Sequence, residues 1–325
     1  MTNFPAFQYD VLIIGGGAAG LSAALALGRA RRSVVVVDGG EPRNAPASGV
    51  HNFLTRDGTP PAELMRLGRE EVEGYGGVVV RSEVLSAARV DGGFTVTIAD
   101  GAVLSARRIL FATGLIDELP EVPGLRGHWG TAVLHCPYCH GWEVQDRAIG
   151  VLATSEKGVH QALLFRQWSE RITLFLHTAE QLTEEQLEQL AARGIELVTG
   201  RVTSVDGDGE RLNAVILEDG SSHAVDALVV APTFTARTEL LEQVGIEVLP
   251  HPMGVGSFVE TDPMGATPVP GVWAAGNVTD LMGQVVTSAA DGLRAAAALN
   301  GDLIMEETRA AVDAYRLART EAAVR

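Results

Sequence analysis

The stretch that decides the fold of this 325-residue chain runs from residue 9 to residue 20 and reads YDVLIIGGGAAG. Its first half, Tyr9–Ile14, is a short apolar run typical of a buried parallel strand. Its second half places glycines with the spacing G-x-G-x-x-G, at Gly15, Gly17 and Gly20. A glycine turn directly after a strand predicts a site where the backbone approaches a phosphate group.

A second strand completes this pattern. An Ala- and Leu-rich segment, predicted to be a helix, extends to about Arg31 and leads into the apolar run Ser33–Val37. That run ends at Asp38, which lies 18 residues after Gly20. Strand, glycine turn, helix, strand and acidic residue, in this order, are the components of a dinucleotide-binding unit.

Each part of the unit has a physical role. Gly15 makes the tight turn, and Gly17 lets the backbone come close to a pyrophosphate. Gly20 allows the helix to pack closely on the strand, and the N-terminus of that helix faces the phosphate charge. Asp38 is placed to accept a hydrogen bond from a ribose hydroxyl group. Both FAD and NAD fit this arrangement, so the fingerprint alone does not choose between them.

Both cysteines of the chain lie in one tetrapeptide, CPYC, from Cys136 to Cys139, with His135 and His140 on either side. A two-residue gap lets two thiols form a reducible disulfide, and a neighbouring imidazole raises the thiolate fraction. Structural zinc is disfavoured because no second cysteine pair exists. The CPYCH pattern also matches c-type haem attachment, but residues 1–10 lack the features of an export signal. A purely structural bridge across so short a loop would remove little unfolded-state entropy. The sequence therefore predicts a redox-active pair.

The overall charge excludes several classes of partner. The formal net charge of −16 argues against nucleic-acid binding, which requires clustered basic residues, and against docking on anionic lipid. The uncharged stretch Val11–Gly28 is interrupted by glycines and is predicted to be strand, turn and helix, not a membrane span. Two cysteines confined to a redox motif suit a reducing compartment, so we expect a cytoplasmic protein. The length predicts two domains.

Three further motifs carry a family resemblance. The apolar run Arg108–Gly114 ends in Ala-Thr-Gly, Gly271–Asn277 reads GVWAAGN, and Gln284–Gly292 has the character of a helix start. With the glycine fingerprint and the CPYC pair, they appear in the order found in a known family. The chain resembles the thioredoxin-reductase-like FAD-dependent pyridine nucleotide–disulfide oxidoreductases over nearly its whole length.

This resemblance implies an α/β fold with two Rossmann-like, three-layer domains. A discontinuous FAD domain, 1–115 and 243–325, would carry an inserted NAD(P)-like domain, 116–242, that contains the CPYC pair. FAD is the implied cofactor, no metal is expected, and the implied assembly is a homodimer. The late motif has Asn277 where the family usually has Asp, and Asn52 matches a flavin-contacting Asn or is an ordinary turn residue. The residues expected to hold FAD are Gly15, Gly17, Ala18, Gly20, Asp38, Gly39, Arg43, Asn52, Val84, Thr113, Gly114, Gly276, Asn277, Gln284 and Val285.

The inserted domain departs from the family pattern. In the alignment to thioredoxin reductases, the two leading glycines of its own fingerprint are replaced by Ala153 and Ser155. The basic pair that reads the NADPH 2′-phosphate is replaced by His177 and Thr178, which cannot make bidentate guanidinium contacts. We therefore expect the nicotinamide nucleotide site to be lost or greatly weakened.

The active-site sequence departs in the same direction. Thioredoxin reductases have an acidic residue directly after the second cysteine, whereas this chain has His140 in the run CHGWE. The run resembles that of dithiol oxidases in the same superfamily, in which oxygen reoxidises the flavin. A histidine can accept a thiol proton near neutral pH. The resemblance implies that Cys136 faces the substrate and Cys139 the flavin.

Three functional hypotheses follow. The favoured one is an FAD-dependent dithiol oxidase that acts on a small-molecule dithiol with oxygen as acceptor, using Cys136, Cys139 and His140. The alternative is a thioredoxin-reductase-like enzyme that reduces a thioredoxin-type protein with electrons from NAD(P)H or ferredoxin. A flavin-bearing redox sensor without useful turnover is the third. His135 is a weaker candidate for a direct role.

Overall fold

The glycine-rich stretch forms a strand, a turn and a helix in the computed structural model, which describes residues 7–209 and 211–324. The strand spans Tyr9–Ile14 and the helix Ala18–Arg29, slightly shorter than predicted. The helix ends where Arg31 enters the left-handed region, with φ of 63°. The next strand ends at Asp38, as the sequence predicts.

The strands and helices are numbered in chain order. The strands are β1 (Tyr9–Ile14), β2 (Val34–Asp38), β3 (Val78–Arg81), β4 (Val84–Val90), β5 (Gly93–Ile98), β6 (Val103–Phe111), β7 (Leu115–Glu118), β8 (Val133–Leu134), β9 (Ile149–Leu152), β10 (Ile172–Phe175), β11 (Glu196–Val198), β12 (Val202–Asp208), β13 (Arg211–Leu217), β14 (Ser222–Ala224), β15 (Ala227–Val229), β16 (Thr233–Ala236), β17 (Val248–Pro250), β18 (Gly256–Val259) and β19 (Val272–Ala274). The α-helices are α1 (Ala18–Arg29), α2 (Pro61–Gly74), α3 (Pro137–His140), α4 (Lys157–Phe165), α5 (Glu184–Ala192), α6 (Glu239–Gln243) and α7 (Val285–Val324). Two 3₁₀ turns lie at Leu125–His128 and Gly276–Val278.

The chain forms two compact units. Unit 1 contains the described parts of 1–43, 62–116 and 234–325, and unit 2 contains 44–61 and 117–233. In unit 1 the strand order is β3-β2-β1-β6-β5-β4, with β19 also paired to β6. The strands β3, β2, β1, β6 and β19 run parallel, whereas β4 and β5 form an antiparallel hairpin. The buried strand β1 is apolar on both faces because layers cover both sides of a parallel sheet.

The C-terminal helix α7 is held to unit 1 by packing against α1 and by charge. Acidic residues of α7 that lie one helical turn apart face arginines from the sheet region. A network of ion pairs contributes more to folding stability than an isolated surface pair does. The ion pairs that make this connection include Arg32–Glu307 at 2.6 Å, Arg107–Glu306 at 2.7 Å and Arg108–Asp302 at 2.6 Å. Within the described chain, no helix is both long and apolar enough to cross a membrane.

Unit 2 repeats the parallel arrangement. Its main sheet has the order β11-β10-β9-β15-β8, in which every pairing is parallel. A second, three-stranded antiparallel sheet follows the order β12-β13-β14. Both units therefore have a Rossmann-type sheet, and the predicted α/β fold class is confirmed.

The units differ from the predicted domains 1–115, 116–242 and 243–325 in two places. The loop 44–61 groups with unit 2, where the side-chain amide of Asn52 donates to the carbonyl oxygen of Tyr138 at 2.6 Å. Residues 234–242 group with unit 1, where the Thr113 hydroxyl donates to the carbonyl oxygen of Arg237 at 2.8 Å. Both shifts come from contacts between distant parts of the sequence.

Candidate active site

The glycine turn of unit 1 has an open backbone surface. Gly15 has φ of 108°, and a Cβ at Gly20 would overlap the carbonyl oxygen of Gly15, so both positions require glycine. By contrast, no atom lies within 4 Å of the position that a Cβ at Gly17 would occupy. Gly17 is also the N-cap of α1, which begins at Ala18 and receives no side-chain cap. Free N–H groups beside open space at a helix N-terminus are suited to a pyrophosphate.

Asp38 lies directly against this turn. A Cβ at Gly16 would come within 2.6 Å of Oδ2 of Asp38. The Asp38 carboxylate accepts a hydrogen bond from the Gly40 N–H at 3.0 Å and lies 3.8 Å from Nη1 of Arg69. Gly39 lies between Asp38 and Gly40, and no atom lies within 4 Å of the position that a Cβ at Gly39 would occupy. The sequence carried no signal for Arg69, which reaches Asp38 from α2.

The structure brings together two predicted cofactor residues that are far apart in sequence. The Arg43 guanidinium donates to the side-chain oxygen of Asn277 at 3.4 Å and lies 5.1 Å from the ring centre of Phe234. The Asn277 side-chain nitrogen donates to the carbonyl oxygens of Asp280 and Gly283, both at 2.8 Å. A carboxylate could not make these two donations. The replacement of the family's usual Asp by Asn277 therefore has a local structural reason.

The remaining predicted cofactor residues of unit 1 occupy strand and helix ends. Gly114 has φ of 71° and follows Thr113, which is tied to Arg237. A Cβ at Gly276 would lie 2.8 Å from the side chain of Ala19, so the late motif approaches α1. Gln284 immediately precedes α7, which begins at Val285, and Val84 opens β4 with its side chain against the hydrophobic core. The open glycine turn, the α1 N-terminus and Asp38 fit a bound dinucleotide, and the individual FAD contacts stay predictions.

In unit 2 the two cysteines form a disulfide. Cys136 and Cys139 have their Cα atoms 5.2 Å apart, and both are half-buried. Cys136 is the N-cap of the short helix α3, and its carbonyl oxygen accepts from the N–H groups of Cys139 and His140 at 3.2 and 3.1 Å. The Pro137 ring at the first helical position is compatible with this turn. The predicted pair is therefore held in a compact helical turn.

His140 has a buried ring nitrogen. Its Nε2 atom has no hydrogen-bond partner. Burial lowers the pKa of His140, the Glu143 carboxylate opposes this change, and His51 adds to the lowering. The imidazole is consequently neutral near pH 7 and is able to accept a proton.

The loop 44–61 supplies polar residues to the disulfide turn. His51 places Nε2 3.3 Å from a Glu143 carboxylate oxygen and Nδ1 3.4 Å from a carboxylate oxygen of Asp57. Asn52, with φ of 61°, donates to the backbone of Tyr138 between the two cysteines. Sequence reasoning missed His51, Asp57 and Glu143 as site residues. The sequence offered one signal for these residues: Glu143 follows the second cysteine by four residues, within reach of the disulfide turn.

Two other residues that the sequence analysis singles out, Asn52 and His135, also lie near the disulfide. Asn52 lies in unit 2 and contacts the CPYC turn through the Tyr138 carbonyl oxygen, and its contact with the flavin stays a prediction. His135 has Nδ1 3.4 Å from the carbonyl oxygen of Val230, so its ring faces the end of β15. Of the two histidines that flank the cysteines, His140 is therefore the one with a buried ring nitrogen that has no hydrogen-bond partner.

In unit 2, the turn after β9 carries side chains at the two positions where the sequence analysis expects glycines to be replaced: Ala153 is buried and Ser155 is exposed. Ala153 is buried after β9, and a Cβ at Gly158 would overlap its methyl group. Glu156 takes the N-cap position of α4. His177 has φ of 47° and its Nδ1 accepts from the Val202 N–H at 3.1 Å, while burial, and to a lesser degree Arg201, lowers its pKa. His177 is therefore neutral and engaged within the protein.

Comparison with known proteins gives consistent similarities. Residues 9–292 match the pyridine nucleotide-disulphide oxidoreductase family. Thioredoxin reductase sirT of Leptosphaeria maculans is 33% identical over 311 residues, which cover 90% of this chain and 93% of the fungal protein. The crystal structure of HlmI has a TM-score of 0.87 at 45% identity and covers 97% of this chain and 98% of its own. An oxidoreductase from Agrobacterium tumefaciens has a TM-score of 0.86 at 40% identity, covering 92% of this chain and 99% of its own.

Proposed function

The chain belongs to the pyridine nucleotide-disulphide oxidoreductase family, and we propose that it is a dithiol oxidase that closes a disulfide in a small dithiol. Membership of this family makes it a flavin-dependent oxidoreductase with FAD as cofactor. The direction of electron flow, the substrate and the acceptor are the proposed parts. The family resemblance also supports a cytoplasmic homodimer as part of the proposal.

The chain's own residues perform the thiol chemistry. A substrate thiolate bonds to Sγ of Cys136, the Cys136–Cys139 bond breaks, and Cys139 leaves as a thiolate. The second substrate thiol gives its proton to the His140 imidazole and attacks the substrate sulfur that is bound to Cys136. This step closes the substrate disulfide and releases Cys136, so the enzyme is left as a dithiol. Thiol–disulfide exchange proceeds through such a mixed disulfide.

The electrons and protons balance with oxygen as the final acceptor. The substrate loses two electrons, which the enzyme disulfide gains. One substrate proton leaves when the attacking thiolate forms, and the other passes to His140. FAD, which the glycine turn, the α1 N-terminus and Asp38 would hold, would supply a two-electron acceptor for the enzyme dithiol and a donor of electrons to oxygen. The sum is one dithiol and one oxygen molecule converted to one disulfide and one hydrogen peroxide. Cys139 is assigned to the flavin and Cys136 to the substrate on the family resemblance.

The observation that carries the direction is the Ala153 methyl group against Gly158. The Ala153 methyl group stands where the family alignment predicts the first glycine of a pyrophosphate turn, and it faces Gly158 at the start of α4. The neutral, hydrogen-bonded His177 adds to this, because it offers no cation to a 2′-phosphate. If the nicotinamide nucleotide site is lost, as we propose, the electrons must come from another donor, and a dithiol at the CPYC pair meets that need. The neutral His140 suits the same direction because it accepts protons.

One specific observation favours a second function. The fungal relative is named a thioredoxin reductase. In that function reduced flavin would open the disulfide, and Cys136 would reduce a thioredoxin-type protein. The electrons would then come from NAD(P)H bound in another way or from ferredoxin.

Steady-state assays separate the two functions. The protein with FAD is supplied with dithiothreitol in air, and oxygen consumption, peroxide formation and loss of thiol are measured together. We expect one peroxide for each dithiol oxidised, with the Cys136→Ser variant as an inactive control. Sustained NADPH oxidation coupled to reduction of a thioredoxin, without dithiol-dependent peroxide, would replace the proposal with the second function.

A further inference from the structure

His51 lies in a closed loop of unit 2. The Val50 N–H donates to the Thr59 carbonyl oxygen at 2.8 Å, which joins the two ends of the loop. Asp57 fixes the imidazole ring, because its carboxylate lies 3.4 Å from Nδ1 of His51. A Cβ at Gly49 would lie 3.2 Å from Nε2 of the same ring, so this glycine leaves the room that the imidazole needs. The orientation of His51 is therefore set by its own loop.

The other ring nitrogen of His51 contacts the segment that follows the disulfide turn. Nε2 lies 3.3 Å from a carboxylate oxygen of Glu143, which follows Cys139 by four residues. The loop is tied to the turn a second time, because the Asn52 amide donates to the Tyr138 carbonyl oxygen at 2.6 Å. The loop and the turn are thus joined by one neutral hydrogen bond and by one contact that can carry charge.

The two contacts of His51 depend on its charge. A carboxylate offers only acceptors, and a neutral imidazole has one N–H group. His51 therefore donates to Asp57 and Glu143 at the same time only when both of its ring nitrogens carry a proton. The side chain of His51 is 22% exposed and that of Glu143 is 35% exposed, so water and salt screen this pair less than a fully exposed one.

His140 belongs to the same electrostatic group. Burial lowers the pKa of His140, the Glu143 carboxylate raises it, and the charge on His51 lowers it. These two charges come from different segments, because Glu143 follows α3 and His51 comes from the loop. Tyr138 and the disulfide lie on the same turn as His140, and Trp168, which packs against that turn, is uncharged. The proton affinity of His140 thus depends on a residue of the loop.

We propose that His51 is a positioning residue of the thiol chemistry, which holds the Glu143 carboxylate and limits how strongly that carboxylate keeps a proton on His140. This inference rests on the proposed dithiol oxidase function, in which His140 accepts a thiol proton. A general base works best when its proton affinity matches the operating pH. Glu143 alone would favour protonated His140, which cannot accept the next proton, whereas burial alone would make the imidazole a weak base. His51 shares the Glu143 carboxylate and so keeps His140 between these two states.

The test measures the titration of His140 itself. Histidine that is isotopically labelled at Cε1 is incorporated into the FAD-loaded protein, and the signals of its eight histidines are followed by NMR as the pH changes. The His140 signal is the one that is absent from His140→Ala. This readout needs neither substrate nor turnover, so it does not depend on whether the protein oxidises dithiols. The pH dependence of anaerobic flavin reduction by dithiothreitol is measured in parallel.

Two variants of His51 separate its charge from its contact. Glutamine and lysine side chains can both donate to the Glu143 carboxylate, but only lysine carries a charge. His51→Gln should move the His140 midpoint and the kinetic inflection to higher pH, because the charge that lowers this pKa is gone. His51→Lys should keep both at or below their wild-type pH. His160→Gln is the matched control, because His160 is exposed on α4 and its loss should leave both unchanged.

Two results would overturn the inference. One is a His140 midpoint that stays in place or moves to lower pH in His51→Gln. The other is the same displacement in His51→Gln and His51→Lys, which would mean that His51 shapes the loop and does not act through its charge. If dithiothreitol does not reduce the flavin of the wild-type protein, the proposed function itself fails, whereas the NMR titration still decides the role of His51.

Discussion

Replacing Gly17 with valine should abolish FAD retention while the protein stays folded. No atom lies within 4 Å of the Cβ position at Gly17, and its φ of −78° is accessible to any residue. The added side chain would instead fill the open space in front of the α1 N-terminus. Blocking two charge-assisted hydrogen bonds from the backbone to a pyrophosphate, each worth about 1.5–3 kcal/mol, should weaken FAD binding by about 10²- to 10⁴-fold.

Two comparison variants make this test specific. Gly74→Val introduces the same side chain at an exposed position that also has no atom near its Cβ, and it should keep its flavin. Gly20→Val would force a side chain onto the Gly15 carbonyl oxygen and should damage the fold itself. Flavin content after purification, titration of the apoprotein with FAD, and thermal unfolding of the apoprotein are measured. A Gly17→Val protein that purifies with wild-type flavin content would refute the assignment of the glycine turn and the α1 N-terminus as the pyrophosphate site.

Further predictions concern the disulfide and the loss of folding stability at low pH. Cys136→Ser should show a long-wavelength charge-transfer absorption from the Cys139 thiolate, whereas Cys139→Ser should not; the reverse pattern would exchange their roles. The rate of anaerobic flavin reduction by dithiothreitol should rise with pH through the lowered pKa of His140, below the ordinary value of about 6.5. His140→Ala should remove this inflection and slow the reaction by about 10²- to 10⁴-fold. Glu143→Gln, which removes a carboxylate that raises the pKa, should move the inflection to lower pH; an unmoved inflection would contradict the coupling. A side-chain hydrogen bond from Arg32 lowers the pKa of Glu307 from 4.5 to about 2. The stabilising contribution of the Glu307 carboxylate is therefore present above pH 4.5 and is lost as the pH falls towards 2. In thermal unfolding, Glu307→Gln should show a smaller loss of stability across that window, and an identical loss would exclude this role.

The elements that the sequence predicted well are those specified by adjacent residues. The strand and glycine turn up to Gly20 depend on local periodicity and backbone sterics, and Asp38 ends the next strand as expected. The CPYC pair needed no tertiary information because a two-residue gap already brings the thiols together. The helix end before Arg31 was misjudged by two residues, since composition does not reveal a left-handed residue.

The parts that escaped prediction depend on contacts between distant segments. Asn52 contacts the disulfide turn across 86 residues of sequence, and His51 lies beside Glu143 across a similar separation, so no local pattern reveals either contact. The amide at position 277 was noted as a departure from the family, and only the structure reveals its two donations to backbone carbonyls. The weakening of the second nucleotide site stays a prediction from residue types, and the structure adds that the Ala153 methyl group faces Gly158.

The direction of electron flow is tested most directly by an anaerobic titration of the FAD-loaded protein. Dithiothreitol, NADPH and NADH are added separately while the flavin absorbance is recorded, and air is then admitted. The dithiol should bleach the flavin and air should restore the colour with formation of peroxide. NADPH and NADH should leave the flavin oxidised up to about millimolar concentration, which corresponds to about −4 kcal/mol of binding. Rapid bleaching by stoichiometric NADPH, with no bleaching by the dithiol, would contradict the assignment as a dithiol oxidase.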